Sequence, residues 1–254
     1  VAVNGDMSVS AKYDEKFVYL LVNKKDFRFS EETLYIPVDT TPKSGSDYCQ
    51  NYDLMFDKAA DFLITINGKN DSRIQVQERY EALRSTYSQN VYQYDTYEKA
   101  NIPDKDSPKF VNIDMILQTA TALQQNDNTA PAETFETGKL TCGNGNPSSE
   151  DFNSLADFMV NGDNVEIRIP WQLLNFADPS EMKIHDDYYE HYGVEHIEIE
   201  EMYLGVTDGS GKERTELKPL VLEGWDGNVT YHERLKKSYY IIKDYWTKGE
   251  QRKQ

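Results

Sequence analysis

Between Val165 and Ser180 the chain reads VEIRIPWQLLNFADPS. Val165, Ile167 and Ile169 alternate with Glu166 and Arg168, the period-two pattern of a strand with one buried face. Pro170 has no amide proton for a sheet ladder and ends the strand, and Trp171, Leu173, Leu174 and Phe176 predict a short apolar turn or helix after it. Phe17–Val22 is a continuous apolar run behind the turn Tyr13–Lys16, which predicts a strand covered on both faces. Leu34–Val38 and Phe62–Ile66 read as further strands, and Asn67-Gly68 turns the chain so that Ser72–Gln77 pairs back. Strand patterns resume at Thr134–Leu140 and Leu155–Val160, then continue across the hairpin turn Asn161–Asn164 into Val165–Ile169. Along His196–Val206 the phase changes: Ile197 and Ile199 share one parity, Met202, Leu204 and Val206 the other. That shift predicts a bulge at Glu200-Glu201. Asp208–Gly211 then turns the chain towards Leu217–Leu222.

Two stretches break this pattern. Residues 78–131 are polar and rich in tyrosine, with Tyr80, Tyr87, Tyr92, Tyr94 and Tyr97, and read as a long excursion, part helix and part loop. From Tyr231 onwards Leu235, Tyr239, Ile242 and Trp246 recur at three- and four-residue spacing, the stripe of an amphipathic helix. The sum is about ten to twelve strands and one terminal helix, an all-β antiparallel sandwich of jelly-roll or immunoglobulin type. The expected division is a sandwich over 1–230 carrying the insertion 78–131, and a helix over 231–254 that packs on it or reaches a partner.

Charge narrows the functions open to such a fold. The 254 residues carry a net −17, which argues against nucleic acid and against an anionic membrane surface. Residues 234–254 run the other way, with seven Lys/Arg against two Asp/Glu. A basic terminal helix on an acidic body suits docking on that body or on a partner, or simple solvation. No run of about 18 apolar residues predicts a membrane span. The chain opens on Val1 with no signal-peptide pattern, and so reads as a piece of a longer polypeptide. Cys49 and Cys142 are too few for a disulfide scaffold; pairing and free thiols are both open, with free thiols favoured.

The order DEKFVYLLV, LYIPVDTTPKSG, ADFLITING and, late in the chain, VEIRIPWQLLNF resembles the family 9 carbohydrate-binding modules and the wider DOMON-like sandwiches. The resemblance covers roughly Asp6–Gly68 and Leu155–Val206. It implies an accessory sandwich attached to a larger extracellular or cell-surface protein. It also implies sugar held between two tryptophans and a structural calcium. Trp171 is the only tryptophan inside the matching segments.

Candidate ligand residues follow from aromatic and acidic clusters. Trp171 at a strand end could stack a pyranose, while Leu173, Leu174 and Phe176 around it favour a core plug. Trp225 and Asp226 lie on the turn Glu223–Gly227, and Tyr92 and Tyr94 belong to the tyrosine-rich excursion. For calcium, which takes six to eight oxygens, the weak candidates are Asp39, Asp47 and Asp208 among turn residues. His185, His191 and His196 sit among acids, but spacings of six and five fit no single helix or strand face. Nucleophile-elbow, zinc-protease, phosphate-loop and dinucleotide signatures are all missing. The expectation is a non-catalytic, carbohydrate-binding-type accessory domain of a larger bacterial surface or envelope protein. The alternative is a spacer that docks a neighbouring domain of the same polypeptide through the tyrosine-rich insertion and the basic helix.

Overall fold

The computed structural model describes residues 1–82, 102–118, 121–122, 129–130, 133–191, 195–211, 213–225 and 235–251. The chain divides into two compact units, Val1–Gly224 and Trp225–Gln254. In the first, the early strands are β1 (Ala2–Asn4), β2 (Met7–Tyr13), β3 (Phe17–Lys24), β4 (Leu34–Asp39), β5 (Ser46–Cys49), β6 (Leu54–Ala60), β7 (Phe62–Ile66) and β8 (Arg73–Gln77). The middle of the chain gives β9 (Phe110–Asn112), β10 (Asp114–Gln118), β11 (Thr121–Ala122), β12 (Thr129–Ala130) and β13 (Glu133–Glu136). Last come β14 (Phe158–Asn161), β15 (Asn164–Pro170), β16 (Phe176–Asp178), β17 (Lys183–His185), β18 (His196–Glu198), β19 (Glu201–Leu204) and β20 (Lys218–Val221).

The fold is all-β and sandwich-like. One sheet has the order β1-β2-β3-β15-β14 and the other β20-β19-β4-β7-β8-β9, with antiparallel ladders throughout. The inward parity of the first sheet supplies Val9, Val18, Leu20, Val22, Val165, Ile167 and Ile169, all buried. Leu34, Ile36, Val38, Phe62, Ile64 and Ile66 are the buried counterparts on β4 and β7. Each fully buried aliphatic side chain contributes roughly 1.5–3 kcal/mol, so this double layer dominates stability.

Expectation and structure part company at several elements. The run Phe17–Val22 is buried on one face only: Val18, Leu20 and Val22 point inward, while Leu21 is 43% exposed and Phe17 and Tyr19 are half-buried. The strand covered on both faces is β7, where all five residues are buried. Its outer side is sealed by the β5–β6 hairpin, whose Cys49, Leu54 and Phe56 pack with Leu63, Phe110 and Leu217. The phase change near Glu200 is a change of sheet and not a bulge. β18 pairs with β17 in a separate three-stranded sheet, and β19 pairs with β4 and β20. The excursion is shorter than 78–131, because Phe110–Asn112 returns to the second sheet beside β8. The segment expected as a strand over Leu155–Val160 pairs only from Phe158, leaving Leu155 exposed. Cys49 and Cys142 are free thiols, and burial pushes Cys49 up to about 11.

The terminal helix is present over Lys237–Gln251. Among the described residues no helix is long and apolar enough to cross a membrane.

Candidate functional site

Because β3 lies at the centre of its sheet, its outward residues are flanked on both sides. Register places Lys12, Tyr19 and Arg168 in one row across β2, β3 and β15. The next row holds Ser10, Leu21, Glu166 and Met159. Rows two residues apart are separated by ~7 Å along the strands. These side chains floor a groove of about 730 Å³, and the two ends of the loop 143–157, Gly143–Asn146 and Ala156-Asp157, form its wall.

That wall is built from short polar turns. Asn144 Oδ1 accepts from the Asn146 amide (2.9 Å), Asn146 Oδ1 from Ser148 (3.0 Å) and Asn153 Oδ1 from Leu155 (3.0 Å). Side-chain acceptors two residues before the amide they bind are what Asn offers an irregular loop. The Ser149 hydroxyl donates to Asp151 and, with the Asn144 Nδ2 donor at 2.9 Å, holds the Asp151 carboxyl below its usual range. The loop is fastened to the sheet by Arg168, whose Nε donates to Ala156 O and Nη2 to Ser154 O, both at 2.7 Å. Gly143 permits the close approach, since a Cβ there would meet Ala156 Cβ and Asn153 Nδ2 at 3.2 Å.

On the floor, Tyr19 Oη donates to Asp14 Oδ2 at 2.8 Å. Burial, reinforced by that carboxylate, raises the phenol above its ordinary value. Burial acts to raise Asp14, but the amides of Lys16 and Phe17 prevail and hold it low. Phe17 continues the aromatic strip at 5.9 Å from Tyr19, and the Arg168 guanidinium lies 5.3 Å from the Phe17 ring. Burial raises Asp157, whose carboxylate accepts the Thr141 amide at 2.7 Å. The groove therefore offers the Tyr19 ring, two cations, the exposed carboxylate of Glu166 and the Asn144 and Asn146 side chains.

The structure does not bring the sequence-derived candidates together. Trp171 is 1% exposed; its Nε1 donates to Asp14 O (2.8 Å), and its ring packs on Phe176 (4.6 Å) and Tyr13 (5.5 Å). It is the core plug, and a ligand platform there is excluded by burial. Trp225 is half-buried and begins the second unit; Asp226, Tyr92 and Tyr94 lie outside the described residues. Asp39, Asp47 and Asp208 do not share a site. Asp208 pairs with Lys24 (2.8 Å), and although burial opposes it, this partner brings the carboxyl down to about 2. Asp47 pairs with Arg214 (2.6 Å). Asp39 is raised by burial to about 7 despite Lys58.

The three histidines separate as well. His185 and His196 meet edge-to-face at 5.4 Å, while His191 joins Asp186 and Glu190 with ligand atoms within 4.8 Å of one another. Lys43 already occupies that cluster, 2.8 Å from Asp186, and Lys105 lies 2.5 Å from Glu190. A metal there would have to displace an ammonium.

A second polar network, unforeseen from sequence, ties down the root of the excursion. Asp61 is fully buried, and its Oδ2 accepts from Thr40 N (2.7 Å), Thr41 N (2.8 Å) and Thr40 Oγ1 (3.3 Å). Thr41 Oγ1 and Tyr80 Oη lie 2.7 Å apart, and burial raises Tyr80 to about 12. Arg79 Nε donates to the buried Asp187 (2.8 Å) and its Nη1 to Pro103 O (2.7 Å). The network's hydrogen bonds reach the Asp61 carboxylate through Oδ2 alone; Oδ1 is buried and has no hydrogen-bond partner among the described residues.

Sequence reading passed over Lys12, Tyr19 and Arg168 and placed Glu166 on a solvent face. The missed signal is Tyr19, an aromatic on the parity opposite Val18, Leu20 and Val22. Compared with family models, curated proteins and solved structures, the chain finds no match.

Proposed function

We propose that the protein is a non-catalytic binding module of carbohydrate-binding type, an accessory domain of an extracellular or cell-envelope protein, and that the groove over β2, β3 and β15 is its ligand site. The observation that carries this reading is the Tyr19 ring on the floor of a groove over an outer sheet face, bordered by Arg168, Glu166 and the Asn144 loop. A pyranose presents apolar C–H groups on its faces and hydroxyls around its rim. Tyr19 supplies an apolar face, and the surrounding donors and acceptors suit the rim. The sequence resemblance to family 9 modules points to the same ligand class, although the site differs from the paired-tryptophan clamp.

Replacing the ring tests this. Glycan-array screening followed by calorimetric titration is expected to find a saccharide of millimolar or better affinity. Tyr19→Ala should weaken it at least tenfold, ~1.4 kcal/mol, while Tyr19→Phe keeps most of the affinity. No binding to any saccharide, or an unchanged constant for Tyr19→Ala, overturns the assignment.

A second reading, docking of a neighbouring domain, is favoured by one observation. The helix Lys237–Gln251 carries Ile241, Tyr245 and Trp246 at 69–76% exposure. Large apolar side chains grouped in this way mark protein contacts more often than isolated ones do.

A further inference from the structure

The charges in the groove narrow the ligand beyond sugars in general. Resting on the carbohydrate reading above, we propose that the ligand is a short acidic oligosaccharide, one carboxylate held by Arg168 and another by Lys12 while a sugar ring lies on Tyr19 between them.

Arg168 is set for such a group. A guanidinium has five N–H donors in a rigid fork. Here Nε–H and one N–H of Nη2 are spent on the backbone carbonyls of Ala156 and Ser154, which fixes the plane without neutralising the charge. Both N–H groups of Nη1 and the other of Nη2 have no acceptor among the described residues, and their edge matches the two oxygens of a carboxylate. Residue 145 faces this head group: a Cβ there would lie 3.7 Å from both Cζ and Nη1, and glycine puts no side chain over it. Lys12, on the other side of Tyr19, has no carboxylate within ion-pair distance among the described residues. Its ammonium lies 5.7 Å from the Tyr19 ring. Two strand spacings, ~10 Å, separate the two cationic positions, a span that suits a short oligosaccharide.

The neighbouring acids have partners of their own, although the Asp157 charge also reaches Arg168. Asp157 is turned to the Thr141 amide, Asp14 to Tyr19 Oη, and Glu166 stands one row away beside Leu21. Glu166 is thus placed to accept from sugar hydroxyls while the carboxylates sit in the cationic row. The net charge of −17 repels polyanions at long range. Screening over ~8 Å at physiological ionic strength leaves a short ligand to the local cations. An acidic peptide fits less well. The floor strands β2 and β3 are paired on both sides, so they offer no free edge for strand addition.

Calorimetry on the full chain at physiological salt separates the possibilities, using trigalacturonate, neutral galactotriose, a sulfated disaccharide and triglutamate as probes. The expected result is at least tenfold tighter binding of trigalacturonate than of galactotriose. Lys12→Gln and Arg168→Lys should each lower that ratio threefold or more, with melting curves reporting that both variants fold. Lys12 is exposed, so Lys12→Gln tests the charge even if Arg168→Lys loosens the loop. Equal or tighter binding of galactotriose overturns the acidic assignment and leaves the sugar groove standing. Tighter binding of the sulfated disaccharide overturns the carboxylate assignment. Triglutamate matching trigalacturonate overturns the saccharide class. Silence from every sugar overturns this inference and the reading beneath it.

Discussion

Asp39 and Asp208 show how the same residue type takes opposite roles a short distance along the fold. Asp208 meets Lys24 and stays ionised; its contribution is present at neutral pH and is lost only in strong acid, as pH falls through about 2. Asp39 is raised to about 7 by burial, and Asp61, fully buried beside it, is raised by burial and by the Asp39 charge. The unfolded chain ionises such carboxyls near 4, so between roughly pH 4 and pH 7 the folded state binds more protons. The stability contributed by these two carboxyls is therefore fully present below that window and falls as pH rises through it. Asp39→Asn removes one of the two acids and relieves the other. Urea unfolding at pH 5 and pH 8 should show a smaller loss for the variant, with on the order of 1–3 kcal/mol recovered at the higher pH. A variant that loses as much stability as the parent would show that these two carboxyls ionise freely in the folded protein.

At the scale of elements, the groove depends on how segments far apart in sequence are clamped side by side. Gly138 is one such clamp: its carbonyl accepts from Ile74 N at 2.7 Å, and its amide donates to Ile113 O at 3.2 Å. A Cβ at this position would lie 2.3 Å from Ile74 O, a backbone atom that cannot step aside. Gly138→Ala should cost ~1–3 kcal/mol by overpacking and expose the amides of residues 72–74 to hydrogen exchange first. Unchanged melting and exchange would show that the segment is not held there. The same non-local construction explains what could be read from sequence. The hairpin into β15 and its inward Val165, Ile167 and Ile169 were legible because turn chemistry and a period of two are local. In FVYLLV both parities are apolar, so nothing local told the buried face from the groove floor. At Glu200-Glu201 a bulge and a change of sheet produce the same shift of parity; only the pairing of β18 with β17 separates them. The groove wall escaped notice because residues 143–157 have no hydrophobic period. Their position follows from Arg168 reaching back to Ala156 and Ser154.

Across the whole molecule, charge and compactness divide at the same place. Trp225–Gln254 forms its own unit and carries seven Lys/Arg against four Asp/Glu, so Val1–Gly224 alone would stand at −20. The two sheets, the plug Trp171 and every residue of the groove lie within Val1–Gly224. Ending the chain after Gly224 should therefore leave the melting temperature within about 2 °C and saccharide affinity within twofold, since a loss of 1 kcal/mol would lower the midpoint of a domain this size by about 2–4 °C. Association with a neighbouring domain, if it runs through Ile241, Tyr245 and Trp246, should be lost in the same variant. A large drop in melting temperature would make the helix part of the fold's core. If association is lost while sugar binding is kept, the molecule divides its work: the sandwich recognises the glycan, and the basic helix fixes where that recognition is delivered.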